Sequence, residues 1–167
     1  MESGDSYTDA KGRRRWHRND WLAEELVRLH DFLVIGGYEE THATVYKRLF
    51  YTLSRYPEPV DRLHAEGRLG EIPDVGPTIA VLIGEYLRTG TCAKKEEWAE
   101  HRPITLLEIA EVPGLGVKMA RTLYSEHGID SLDALEFALA SGRLDRVKGL
   151  GAKTREKIAR HIATAAE

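Results

Sequence analysis

Apolar residues recur at helical spacing along almost the whole chain. From Asn19 onward, Leu22, Leu26, Leu29 and Leu33 fall on one face of a helix, with Asn19 or Asp20 as its N-cap and Gly36-Gly37 as its end. A second amphipathic helix is predicted from about Glu39 to Arg55, with Val45, Tyr46, Leu49, Phe50 and Leu53 inward, and Pro57 and Pro59 punctuate it. A short helix over 59–66, a helix from Pro77 to Leu87 closed by Gly90, and the charged stretch AKKEEWAEH follow. Beyond Pro103 the pattern predicts helices near 105–111, 117–127, 132–140 (capped by Ser131) and 152–165. No stretch alternates with period two for long enough to make a strand, so the predicted class is all-α. The expected organisation is a flexible basic arm over 1–18, one helical domain over 19–102 and a second over 103–167.

Composition narrows the function classes. At 167 residues, 42% hydrophobic and 31% charged, the chain can bury a core and keep a soluble surface. The longest apolar run, Ile79-Ala80-Val81-Leu82-Ile83, is too short to cross a bilayer, so no membrane partner is expected. The basic cluster near the start has no apolar stretch after it, which excludes a secretory signal. Cys92 stands alone, so no internal disulfide forms and a cytoplasmic setting is expected, nucleoid-associated if the source is bacterial. Seven scattered histidines and one cysteine make no zinc set, and no phosphate-cradling P-loop or nucleophile elbow is present. The arm reads either as a solvated tail or as a phosphate-touching segment, and Trp16 either stacks on a base or docks on the protein. Trp98, Phe50, Tyr51 and Tyr56 read as packing residues, and Tyr46 is retained as a functional candidate.

The net charge of −3 is unevenly spread. Residues 19–111 carry 10 basic side chains against 17 acidic ones, whereas the window 143–160 carries 7 against 2. Whole-chain charge opposes a large polyanion footprint; local charge supports a small one near the C-terminal end.

A repeat carries the chemistry. Ile72-Pro73-Asp74-Val75-Gly76, Val112-Pro113-Gly114-Leu115-Gly116 and Val147-Lys148-Gly149-Leu150-Gly151 align without gaps, their last glycines 40 and then 35 residues apart. Each follows a short helical stretch and opens a longer helix. The glycines permit backbone conformations closed to other residues and leave no Cβ in the way, while the apolar residues fold between the helices. The unpaired amides of the turn and of the next helix's first turn then face outward as an anion-binding concavity. Lys118 and Lys153, two residues past the last glycine, reach the same anion. Such a device holds backbone phosphates and reads no bases. The first copy has Asp74 for its first glycine and Thr78 in place of the lysine, and reads as a helix-packing turn.

The three segments resemble helix-hairpin-helix motifs, the DNA-backbone binders of many repair proteins. Residues from about 20 to 165 are further similar to the amino-terminal half of family X DNA polymerases, the group of polymerase beta and bacterial PolX enzymes. The similarity runs through Tyr46, Tyr56-Pro57, Gly70 to Gly76, Glu85-Tyr86-Leu87-Arg88-Thr89-Gly90, Val112 to Gly116, Ala120-Arg121 and Gly149 to Thr154. The resemblance implies a polymerase beta N-terminal-domain-like fold: a small lyase-type domain with a degenerate hairpin over 19–102, and a duplex-holding tandem of hairpins over 103–167. It implies a polymerizing palm only beyond where this chain stops, and no Asp-x-Asp pair for two metals is present. The family's Schiff-base lysine falls on Leu82 and a neighbouring basic position on Thr78, while His42 and Tyr46 match its 5′-phosphate pocket. Lys47 reads as a surface lysine. By the same resemblance a K⁺ or Na⁺ ion would sit on the carbonyls of Ala110, Val112 and Leu115, or of Gly70, Ile72 and Val75.

The expected function is a non-catalytic module that grips the DNA backbone without sequence preference at gapped, nicked or end structures in repair or replication. Its expected contacts are Gly114, Gly116, Val117, Lys118, Gly149, Gly151, Ala152, Lys153, Arg155 and Lys157, with no catalytic residue. The alternatives are a residual abasic-site or deoxyribose-phosphate lyase, and a scaffold that binds a separate catalytic or repair protein.

Overall fold

The computed structural model describes residues 5–167; residues 1–4, the beginning of the expected arm, lie outside the described residues. Nine α-helices and one two-stranded ribbon are found among the described residues. They divide into two units. One takes the described residues through His30 together with Glu40–Trp98; the other takes Asp31–Glu39 and Ala99–Glu167. The division differs from a single cut at Pro103, because a nine-residue segment around Gly36-Gly37 groups with the later chain. Phe32, Leu33, Val34 and Ile35 are all buried, and the Arg102 guanidinium donates to the Gly36 carbonyl at 2.6 Å within that second unit.

The first correction is the arm. Strands β1 (Ser6–Thr8) and β2 (Arg14–Trp16) pair antiparallel, with Tyr7 opposite Arg15. Asp9 closes the connection: its carboxylate accepts the Lys11 and Arg13 amides, both at 2.9 Å, and the Arg15 guanidinium at 2.9 Å. These bonds, the Arg13 amide foremost, hold the Asp9 carboxyl well below the usual carboxylate range. Gly12 supplies the left-handed residue of the loop at φ +75°. The ribbon is anchored rather than free. Trp16 is buried and its indole N–H donates to the Pro57 carbonyl at 3.3 Å, while Arg15 bonds the Ser54 carbonyl. Trp16 therefore docks on the protein.

Helix α1 (His17–Ile35) begins two residues before the expected cap. Asn19 lies inside its first turn and is buried, with a different task. Its amide donates to the Glu58 carbonyl at 2.9 Å and its oxygen accepts the Val60 N–H at 2.7 Å, which caps the start of α3 (Val60–Ala65). Helix α2 (Glu40–Ser54) buries Ala43, Tyr46, Leu49 and Leu53 at helical spacing. Tyr51, expected as a packing residue, is 61% exposed, because it lies off that stripe.

A 3₁₀ turn at Leu69–Glu71 leads through the first repeat into α4 (Pro77–Thr89), and α5 (Ala93–Ala99) follows. Leu82, Ile83 and Tyr86 from α4 are buried. Cys92 is buried as well, and that burial pushes its thiol pKa upward. On the surface of this unit Arg68 gathers Glu58, Glu66 and Glu71 at 3.1, 2.6 and 2.7 Å.

The second unit holds α6 (Leu106–Ala110), α7 (Gly116–His127), α8 (Leu132–Ala140), a 3₁₀ turn at Arg143–Arg146 and α9 (Ala152–Ala165). Ser131 caps α8 by accepting the Ala134 N–H at 3.1 Å. No helix among the described residues is long and apolar enough to cross a membrane.

Asn19 bridges α1 to the start of α3 through a buried side chain. Asn19→Ala leaves the buried Val60 amide unpaired, removes a donor from the carbonyl of half-buried Glu58, and is expected to lower the unfolding free energy by about 2 kcal/mol. Urea denaturation checks it; a change under about 0.5 kcal/mol would show that the bridge is dispensable.

Candidate nucleic-acid interface

Each repeat folds into the same corner. The Val75 N–H donates to the Ile72 carbonyl at 3.1 Å, the Leu115 N–H to Val112 at 3.1 Å, and the Leu150 N–H to Val147 at 3.2 Å. Each is a four-residue turn whose third residue is left-handed: Asp74 at φ +69°, Gly114 at +89° and Gly149 at +94°. The six apolar residues that flank these corners are buried. They fix the direction in which the following helix leaves, and so the direction of its unpaired first-turn amides.

The second and third corners are packed on each other. A Cβ built on Gly114 would touch the Thr154 methyl at 3.5 Å and the Lys157 stem at 3.6 Å; one on Gly149 would meet the Met119 methyl at 2.9 Å. Met119 and Thr154 hold the same place in their repeats, three residues after the last glycine. The exchange is thus reciprocal, each turn resting on the other's helix, and it places α7 and α9 with their starts in one assembly.

The last glycines differ from the first. Gly151 has φ −78° and Gly76 φ −90°, conformations open to any residue, and a Cβ on either meets nothing within 4 Å. Gly116 is instead left-handed at φ +72° and follows Leu115 in the right-handed helical region. That right-then-left sequence turns successive amides toward one concave side, a backbone nest for an anion. The Val112 carbonyl accepts the Leu115 amide at 3.1 Å and keeps its second lone pair, so this turn bond leaves the carbonyls of Ala110, Val112 and Leu115 open to the expected K⁺ or Na⁺, while the amides on the concave side suit an anion.

Of the expected contacts, Gly114, Gly116, Lys118, Gly149, Gly151, Ala152, Lys153 and Lys157 are exposed and Val117 is half-buried. Among the described residues Lys118, Lys153 and Lys157 have no ion-pair partner. Arg155 stands apart. Its guanidinium pairs with Asp145 at 3.4 Å and reaches the Leu150 carbonyl at 3.5 Å, so it braces its own corner. At the first corner Asp74 pairs with Arg48 at 3.3 Å, which neutralises the charge that sets this copy apart.

The lyase-type positions are not brought together as a Schiff-base site. Leu82 is buried in the core, Thr78, His42 and Lys47 are exposed, and Tyr46 is buried with the Lys94 ammonium 5.8 Å from its ring centre. Lys94 carries no motif of its own, since it sits in the charged run Lys94-Lys95-Glu96-Glu97.

Residues 106–164 match the SAM-like helix-hairpin-helix tandem family. Over 91 residues the chain is 29% identical to the DNA polymerase/3'-5' exonuclease PolX of Bacillus subtilis (strain 168). That alignment covers 54% of this chain and 16% of the relative, so the chain spans only a small part of its length.

The contrast between the two kinds of glycine is testable. Gly149→Ala is expected to lower the unfolding free energy by about 1–2 kcal/mol through its left-handed backbone, with little recovery from a second change, Met119→Ala. Gly151→Ala is expected to stay within about 0.5 kcal/mol of the parent. Equal losses in thermal and urea unfolding would refute the division of roles.

Proposed function

We propose that the chain is a non-catalytic DNA-binding module that grips backbone phosphates without reading sequence, at gapped, nicked or end structures in repair or replication. The observation that carries this reading is Gly151. Nothing inside the molecule requires that position to lack a side chain, since its backbone is ordinary and the space around it is open. Gly76 shares that openness but is followed by Thr78 and preceded by the Asp74–Arg48 pair; at Gly151 the missing side chain lies at the mouth of the unpaired first-turn amides and beside unpaired Lys153, and that combination fits close approach by an external polyanion. The reciprocal packing of the two corners supports a pair of phosphate grips acting on one duplex, and the similarity to a helix-hairpin-helix tandem and to part of a DNA polymerase agrees with it.

Lys118 and Lys153 supply point charges to the amide concavities, and Lys157 extends them. Few phosphates are neutralised, so affinity is modest and steeply salt-dependent. With Leu82 where the family's amine would stand, the module holds DNA and leaves the chemistry to other groups.

Fluorescence anisotropy on gapped duplex at low salt tests the reading. Lys118→Glu combined with Lys153→Glu is expected to abolish most binding, and Gly151→Ala to weaken it several-fold while leaving the melting temperature unchanged. Unaltered affinity in both variants would refute it. Borohydride treatment on abasic DNA is expected to trap no covalent adduct; an adduct mapping to Lys94 would establish the lyase alternative instead.

A further inference from the structure

The basic surface of α9 continues past the hairpin corner. Lys153, Lys157, Arg160/His161 and Thr164 recur at helical spacing. Beyond the corner they border a cleft of about 290 Å³ lined by Pro113, Lys157, Arg160, His161 and Thr164. Pro113 belongs to the second corner, and the Lys157 stem lies against the Gly114 position of the same turn. The cleft is therefore a junction between the second turn and the outer face of α9.

Its chemistry is one-sided. Three nitrogen-bearing side chains line it and no carboxylate does. None of the three has a side-chain hydrogen bond or ion pair among the described residues. The Thr164 hydroxyl donates to the Arg160 carbonyl at 2.9 Å, so recognition falls to the nitrogen donors. An Arg fork donates to two phosphate oxygens at once, a half-buried imidazole adds a directed N–H, and the Lys ammonium adds charge. Lys153 and Arg160 lie about 10 Å apart along the helix axis, far enough to serve separate phosphates.

We infer that this cleft is a second phosphate subsite, in which Arg160 and His161, with Lys157 shared, hold a polynucleotide phosphate beyond the one gripped at the corners. The inference rests on the proposed DNA-binding reading and extends the grip along α9. It explains why the density of basic residues persists into a part of the helix that the hairpin amides do not reach.

Nuclear magnetic resonance on the full chain, with a short blunt duplex as probe and inorganic phosphate in a parallel arm, separates the two claims. On adding duplex, the His161 ring signals and the Arg160 Nε resonance are expected to shift with the same midpoint as the Gly114 and Gly151 amides. Arg160→Ala is expected to suppress the His161 shift, to weaken duplex binding about five-fold and to reduce the slope of log affinity against log salt by about one. Glycine amides that move while His161 stays still would overturn the subsite and leave the hairpin reading intact. A moving His161 with static glycine amides would uphold the subsite and overturn the hairpin reading. Saturation of His161 by inorganic phosphate under conditions where duplex has no effect would overturn the assignment to a polynucleotide.

Discussion

A left-handed residue in third place of a tight turn is the constraint on which the hairpins rest. The turn closes through one amide–carbonyl bond, and only with that residue left-handed do the two apolar neighbours point inward together. Once Val112 and Leu115, or Val147 and Leu150, are buried on either side of the corner, the next helix has one direction to take. Its first-turn amides inherit that direction. A charged contact surface therefore follows from an apolar and steric requirement, with no polar side chain needed to aim it. Asp74 makes the constraint visible. It adopts φ +69° where the other two copies have glycine, at a cost that short polar residues bear most easily, and its carboxylate is answered by Arg48.

The two glycines of each later repeat answer to different masters. Gly114 and Gly149 are demanded by conformation; a Cβ would make only ordinary contact at Gly114, and at Gly149 it would crowd the flexible end of Met119. Gly151 is demanded by neither conformation nor contact. Gly116 lies between, since its left-handed backbone closes a nest that its counterparts lack. A motif written as apolar-x-Gly-apolar-Gly thus merges a folding requirement with a requirement for access. Coordinates are needed to separate them, because the sequence prints the same letter for both.

What could be read from the chain was what depends on period. Most helices rested on recurrent apolar positions or on a cap such as Ser131, α5 rested on a charged stretch alone, and the tandem of corners rested on spacing. The ribbon was hidden because strands of three residues are too short to show alternation, and because the Asp9 carboxylate that fastens it bonds backbone amides, which have no letters of their own. Asn19 misled for a related reason. Its residue type suits a cap, and it does cap a helix, but the helix is α3, some forty residues on. At the site, the lysines were legible as charges, while the engagement of Arg155 by Asp145 required knowing that the turn before α9 brings the two together.

Charge gives the last step. A chain of net −3 with an acidic middle is a poor polyanion binder if its charges are simply added. They do not add. Three carboxylates of the first unit converge on Arg68, the Asp9 carboxylate is spent on its ribbon, and Asp74 is spent on Arg48. The arginine nearest the third corner is likewise spent, and a planar fork suits that bracing task of holding a carboxylate and a carbonyl at once. The lysines at the corners are left as unpaired, flexible point charges. At the corners such adaptable charges can follow a sequence-independent backbone while Arg155 braces the turn beneath them; farther along α9, beyond the reach of the free amides, the fork of Arg160 takes over the phosphate contact in the inferred subsite.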